Sequence, residues 1–231
     1  MQEAWLKMLI IFDLDDTLID TWNTSILPKL KIAFQEMMKA GLKVENETES
    51  LKRLIDINNY ADNGKTTIET FLKELGCNNS LIFDVGYEAY YGGPLLDIIR
   101  PPLPHALEVL HTLHQNHTLI LITHGEEKTQ YDKIQKAKIN PHLFLKTIVI
   151  LNYDKSESYQ QILHEFDFKP QDILVIGDKY KTDLLPAKAL GMKTVHMKWG
   201  KGKILVPKQD EVNYIISDLQ ELLKIVEELT I

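Results

Sequence analysis

Met8-Leu9-Ile10-Ile11-Phe12-Asp13-Leu14-Asp15-Asp16-Thr17 is the stretch that decides the fold. Its five apolar residues run without interruption into three acids within four positions. So short an apolar run, bounded by polar residues, predicts a strand covered on both faces rather than a helix or a membrane span. In an open α/β sheet, ligands bind beyond the carboxyl ends of the strands, and the acids begin there. Asp13 and Asp15 project to the same side of extended chain. Carboxylates packed together raise a pKa or demand a cation, so the stretch asks for a metal, a proton or both.

Working outward, the pattern changes twice. From about Ile19 to Tyr91 it is helical: Ile26, Leu30, Ala33, Phe34 and Met37 recur at helical spacing before Gly41. Further helices are predicted around residues 51–58, 68–75 (closed by Gly76) and 81–90 (opened by Asn79 or Ser80). Gly92-Gly93-Pro94 and Pro101-Pro102-Leu103-Pro104 punctuate the exit. After that, helices alternate with the apolar runs Thr118–Thr123, Thr147–Leu151, Asp172–Gly177, Lys193–His196 and Tyr214–Ile216. Strands separated by helices imply a parallel sheet. Ser217 and Gln220 fit a capping box for the last helix. The expected architecture is α/β: a doubly wound parallel core from residues 1–19 and 95–231, interrupted by a helical domain over 20–94.

Composition narrows the function classes. The chain has 231 residues, 44% of them hydrophobic, which is enough for one large domain or two smaller ones. A net charge of −7 argues against non-specific nucleic-acid or anionic-membrane binding. The single cysteine, Cys77, excludes an intramolecular disulfide and a multi-cysteine metal site. With Glu3 and one Lys7 ahead of the apolar run there is no signal-peptide pattern, and a cytoplasmic protein, monomer or homodimer, is expected.

Three more predicted strands or helix starts carry polar groups that match the first stretch. Thr123-His124-Gly125 ends a buried strand, and its hydroxyl can donate to a phosphate oxygen. Lys155 precedes a helix, where the macrodipole disfavours a mere surface lysine. Gly177-Asp178 ends another strand, with Asp183 five residues beyond Asp178. In this order, Asp13-x-Asp15-x-Thr17, Thr123, Lys155 and Gly177-Asp178-x-x-x-x-Asp183 resemble the four motifs of the haloacid dehalogenase superfamily of hydrolases. The resemblance spans nearly the whole chain outside the helical part and departs at His124, where the family commonly has Asn.

That resemblance implies a Mg²⁺-dependent phosphatase with an inserted helical cap that closes over the site and sets substrate choice. Asp13 is then the nucleophile and Asp15 the acid–base, which needs its carboxyl protonated before attack; crowding by anions is expected to favour that state. Lys155, Thr123 and His124 are the substrate-binding residues. Asp13 and Asp178 bind the metal through side chains, Asp15 binds it through its backbone carbonyl, and Asp183 stands one shell out. Asp16 is expected to point away, and Thr17 to fix the turn.

Asp15 argues for phosphoryl transfer over displacement of halide, which has no leaving alcohol to protonate. A receiver domain is excluded, because its acceptor lies on a later strand and it lacks the helical insert. A phosphomutase acting on a sugar phosphate, or a non-catalytic metabolite-binding protein, remains the alternative. The expected partner is a small phosphorylated metabolite. Neither His105, His111, His114 and His117 nor the basic loop Lys198–Lys203 defines a further site, though the loop is a candidate for the edge of the active-site mouth.

Overall fold

The first strand, β1 (Leu9–Phe12), is buried along its whole length. Ile10 and Phe12 face one apolar cluster and Leu9 and Ile11 another, as the uninterrupted apolar run requires. The protein is described by a computed structural model over residues 8–92 and 98–230. The acidic and basic residues Glu3 and Lys7, and the punctuating Gly93-Pro94, lie outside the described residues.

After β1 the chain makes a π-helical turn, Trp22–Ile26, and enters four helices: α1 (Leu27–Lys39), α2 (Glu47–Tyr60), α3 (Gly64–Glu74) and α4 (Ser80–Tyr91). Asn46, Asn63 and Asn79 cap the last three, each side chain accepting a backbone N–H of the first turn. Gly41 (φ +100°) and Gly76 (φ +65°) end α1 and α3 in the left-handed conformation that glycine tolerates. Leu30, Phe34, Leu54, Ile68 and Phe71 close a core inside this bundle, separate from the two beside β1.

The rest of the chain alternates. It runs α5 (Ala106–His114), β2 (Thr118–His124), α6 (Glu127–Lys136), β3 (Lys146–Ile150), α7 (Ser156–Glu165) and β4 (Ile173–Gly177). A second π-helical turn, Tyr180–Leu184, leads into α8 (Leu185–Ala189), then β5 (Lys193–Met197), β6 (Tyr214–Ile216) and α9 (Glu221–Thr230). Among the described residues the strands form one parallel sheet in the order β3-β2-β1-β4-β5-β6. Backbone contacts divide the chain into two compact units: one from both ends, up to Thr21 and from Ile99, and one spanning Trp22–Ile98.

One capping expectation shifts by a residue. Asp218, not Ser217, caps α9: its Oδ1 accepts the amide of Gln220 at 2.8 Å. Glu221, not Gln220, reaches back, its Oε1 accepting the amides of Ser217 and Asp218 at 2.8 and 2.9 Å. Ser217 follows β6 directly, and the capping box lies one residue later than the pattern suggests.

The strand order reverses direction around the β1–β4 pair, the switch point where α/β sheets leave a crevice at their carboxyl ends. Phe12 pairs with Ile176 and with Leu121, so Asp13, Gly177 and Ile122 are level across three strands.

Candidate active site

Asp13 leaves β1 with its amide bonded to the carbonyl of Ile176 at 3.0 Å, which fixes it beside the end of β4. Its Oδ1 accepts the Lys155 ammonium at 2.6 Å. Lys155 stands at the first turn of α7 and also meets Asp183 Oδ1 at 2.9 Å. All three side chains are buried. Burial works against the Lys155 charge, but the carboxylates of Asp13 and Asp183 outweigh it and hold its pKa above the ordinary lysine value. The macrodipole argument is met by these two acids: the lysine is paired rather than a surface charge.

Asp183 is fully engaged. Besides Lys155, its Oδ2 accepts the backbone amide of Lys179 at 3.0 Å, and its own carbonyl accepts the buried Tyr159 hydroxyl at 2.9 Å. Asp13 and Asp178 differ. Among the described residues, Asp13 Oδ2 and both carboxylate oxygens of Asp178 are buried without a hydrogen-bond partner. Burial raises the pKa of Asp13, with Lys155 opposing it. Burial likewise drives Asp178 well above the ordinary carboxylate range. Oxygens of Asp13, Asp178 and Asp183 lie within 4.8 Å of one another. Orphaned, buried carboxylate oxygens so arranged suit a hard divalent cation, and this cluster is the candidate metal centre.

Asp15 contradicts the expectation that crowding would keep it protonated. Lys133, on α6, donates to both of its oxygens, at 3.0 Å to Oδ1 and 2.7 Å to Oδ2, and the Thr21 hydroxyl donates to Oδ1 as well. Partial burial works against its charge, but Lys133 and Thr21 more than offset it and hold the pKa below the ordinary value. Asp16 has φ +59° and turns its Oδ1 back to the Thr21 amide at 3.1 Å. Thr17 is buried at the turn, its amide directed to the Leu14 carbonyl.

Thr123 is buried and donates to Gln130 Oε1 at 3.2 Å, while Gln130 Nε2 donates to the His124 carbonyl at 2.9 Å. The His124 ring is tied to the end of β3: Nε2 bonds the Leu151 carbonyl at 3.1 Å, and the ring stacks on Tyr153 at 3.9 Å. Burial lowers the His124 pKa, so it favours the neutral form. The loop after β5 abuts the acids. A Cβ on Gly200 would meet the Asp16 carboxylate at 2.6 Å, and one on Gly202 the Asp178 carbonyl at 3.0 Å. His196, buried on β5, pins that loop through the Gly202 carbonyl at 2.9 Å.

Reading the sequence alone misses Lys133, Gln130 and Thr21. A signal for two of them exists: Gln130, Lys133, Ile134 and Ala137 lie at the spacing of a buried helical stripe, and two of the four are polar. Polar side chains in that stripe need partners, and they find them in Thr123, the His124 carbonyl and Asp15.

A parallel α/β sheet with acids at its switch point and a lysine at a helix start defines a hydrolase-type site, and the family profile agrees. Residues 10–197 match the haloacid dehalogenase-like hydrolases, and the chain belongs to that family. It is 30% identical over 227 residues to a glyceraldehyde 3-phosphate phosphatase of Pyrococcus abyssi, spanning 95% of this chain and 93% of that protein. A glyceraldehyde 3-phosphate phosphatase of Pyrococcus furiosus is 27% identical, with 95% and 92% covered. The fold is shared with a haloacid dehalogenase-like family hydrolase from Xanthomonas campestris, at a TM-score of 0.68 and 19% identity, covering 97% of this chain and 96% of that one.

Proposed function

We propose that this hydrolase is a phosphatase that uses Mg²⁺ and cleaves a small phosphate monoester through an aspartyl-phosphate, with three-carbon sugar phosphates as the first substrates to test. The observation that carries the reading is Asp13, ion-paired to Lys155 at 2.6 Å through one oxygen and, among the described residues, left without a partner on the other, beside Asp178, whose oxygens likewise have none. Asp13 and Asp178 are the side chains to hold Mg²⁺, with the Asp15 carbonyl. Asp183, whose oxygens are both engaged, orients Lys155. The ion supplies charge neutralisation for the transferring phosphoryl oxygens.

An Asp13 oxygen attacks phosphorus in line, the ester P–O bond breaks, and the leaving oxygen takes a proton from Asp15. A water then attacks the aspartyl-phosphate, gives its proton to the Asp15 carboxylate, and Asp13 is released. Lys133 favours the carboxylate that the second step needs. Arrival of the phosphate dianion opposes Lys133 and favours uptake of the proton that the first step consumes. Lys155 and the Thr123 hydroxyl stabilise the phosphoryl oxygens. His124 is retained as a substrate-side residue, its ring set by Leu151 and Tyr153. In this reading the helical insert is the cap.

The test is phosphate release from a panel of small esters that includes glyceraldehyde 3-phosphate, with Mg²⁺ and with chelator, for wild type and Asp13→Asn. Metal-dependent turnover that Asp13→Asn abolishes is the expected result. Turnover that survives Asp13→Asn would remove the nucleophile assignment, and a folded, metal-loaded protein inert on every ester would remove the phosphatase reading.

A further inference from the structure

We infer that Lys133 is a positioning residue for Asp15, holding the carboxyl from α6 so that one chosen oxygen faces the leaving group of the ester; the inference rests on the phosphatase reading above. Lys133 is not a surface charge. Its side chain is 10% exposed, and the partner of its ammonium among the described residues is Asp15, 118 positions away. A lysine so enclosed must be paired, and here a single ammonium bridges both carboxylate oxygens.

The two oxygens are not equivalent. Oδ1 accepts from Lys133 and from the Thr21 hydroxyl, whereas among the described residues Oδ2 accepts from Lys133 alone. A carboxyl oxygen has two lone pairs, so Oδ1 is saturated and Oδ2 keeps an open one. Oδ2 is therefore the oxygen that carries the proton to the leaving oxygen and later receives one from water, while Oδ1 stays anchored. The anchor is shared with the neighbouring motif. Gln130 and Lys133 are three residues apart and thus on one helical face. Gln130 holds Thr123 and the His124 carbonyl while Lys133 holds Asp15. One face of α6 thereby keeps the acid–base group in register with the hydroxyl that meets the phosphoryl oxygens.

A positioning role has a signature that a structural role lacks. An alkyl alkoxide needs a proton to leave, whereas the p-nitrophenolate ion leaves without one. The experiment compares kcat/KM for the best alkyl phosphate of the panel with that for p-nitrophenyl phosphate, in wild type and Lys133→Met, with thermal melting as the check on folding. The value for the alkyl ester is expected to fall by roughly 10- to 100-fold, a good part of what general acid catalysis supplies, and that for the aryl ester by less than about 3-fold. Lys133→Gln, which keeps a donor without the charge, is read by the same ratio should the methionine variant fail to fold, with a smaller loss in the same direction. Equal losses on both esters, no loss on either, or a rise in KM alone overturn the inference while leaving the phosphatase reading in place. A wild type inert on both esters overturns the phosphatase reading and this inference with it.

Discussion

Gly177 is held to glycine by what lies against it. A Cβ there would fall 2.6 Å from both the Cβ and Oδ2 of Asp183. Asp183 has little room to yield, since one oxygen is on Lys155 at 2.9 Å and the other on the Lys179 amide at 3.0 Å. Gly177→Ala must therefore displace the group that orients Lys155, and through it the countercharge of Asp13. Misplacement of such groups by about 1 Å can cost on the order of 100-fold in rate. The overpacking itself costs about 1–3 kcal/mol. The variant is expected to lose roughly 10- to 100-fold in kcat while remaining folded, as steady-state kinetics beside a urea melt would show. Unchanged kcat would mean that Asp183 does not set Lys155. At this scale the sequence is legible where chemistry is concentrated. Asp13 and Asp178 follow buried strands, and together with Asp183 they are legible through the family motifs they resemble. Lys133 is not legible in the same way, because its partner Asp15 is 118 positions away in the sequence and only the polar break in a helical stripe hints at it.

The elements were readable from apolar periodicity, and their ends less so. Strands β1, β2 and β4 are apolar runs because both faces of the central sheet are covered, and the pattern places each to within a residue or two. Helix starts depend on which side chain reaches which amide, and composition does not settle that. The α9 cap shows the difference, since Ser217–Gln220 and Asp218–Glu221 are both chemically sound boxes one residue apart. The geometry chooses the second, with Glu221 Oε1 accepting two amides. Glu221→Ala is accordingly expected to lower stability by about 0.5–2 kcal/mol, the range for a lost cap interaction. Gln220→Ala should stay within about 0.5 kcal/mol, as ordinary surface substitutions do. Urea unfolding of the two variants side by side measures the difference, and a larger loss for Gln220→Ala would move the cap to Ser217–Gln220.

For the molecule as a whole, the buried acids make stability depend on pH and metal together. Burial raises the pKa of Asp13 and Asp178 above the ordinary carboxylate value, so the folded protein holds those protons more tightly than the unfolded chain does. A raised carboxyl contributes stability that is full below its unfolded pKa and is lost as pH rises through its folded one. Asp15 is shifted the other way, and its contribution is lost only as pH falls below about 3.8. Above about pH 4 ionising Asp13 and Asp178 therefore costs stability, which a divalent cation held between them, as proposed, would restore. In the proposed site protons and Mg²⁺ would compete for the same oxygens, so Mg²⁺ binding would release protons and weaken as pH falls. Because ligand binding to the folded state raises stability by RT ln(1 + [L]/Kd), added Mg²⁺ should lift Tm clearly at pH 7.5 and much less at pH 5.5. Asp178→Asn should raise the metal-free Tm at pH 7.5 and abolish most of the lift. The measurement is a thermal scan of wild type and Asp178→Asn with Mg²⁺ and with chelator at both pH values. An equal lift at the two pH values, or one that persists in Asp178→Asn, would place the cation away from these carboxylates.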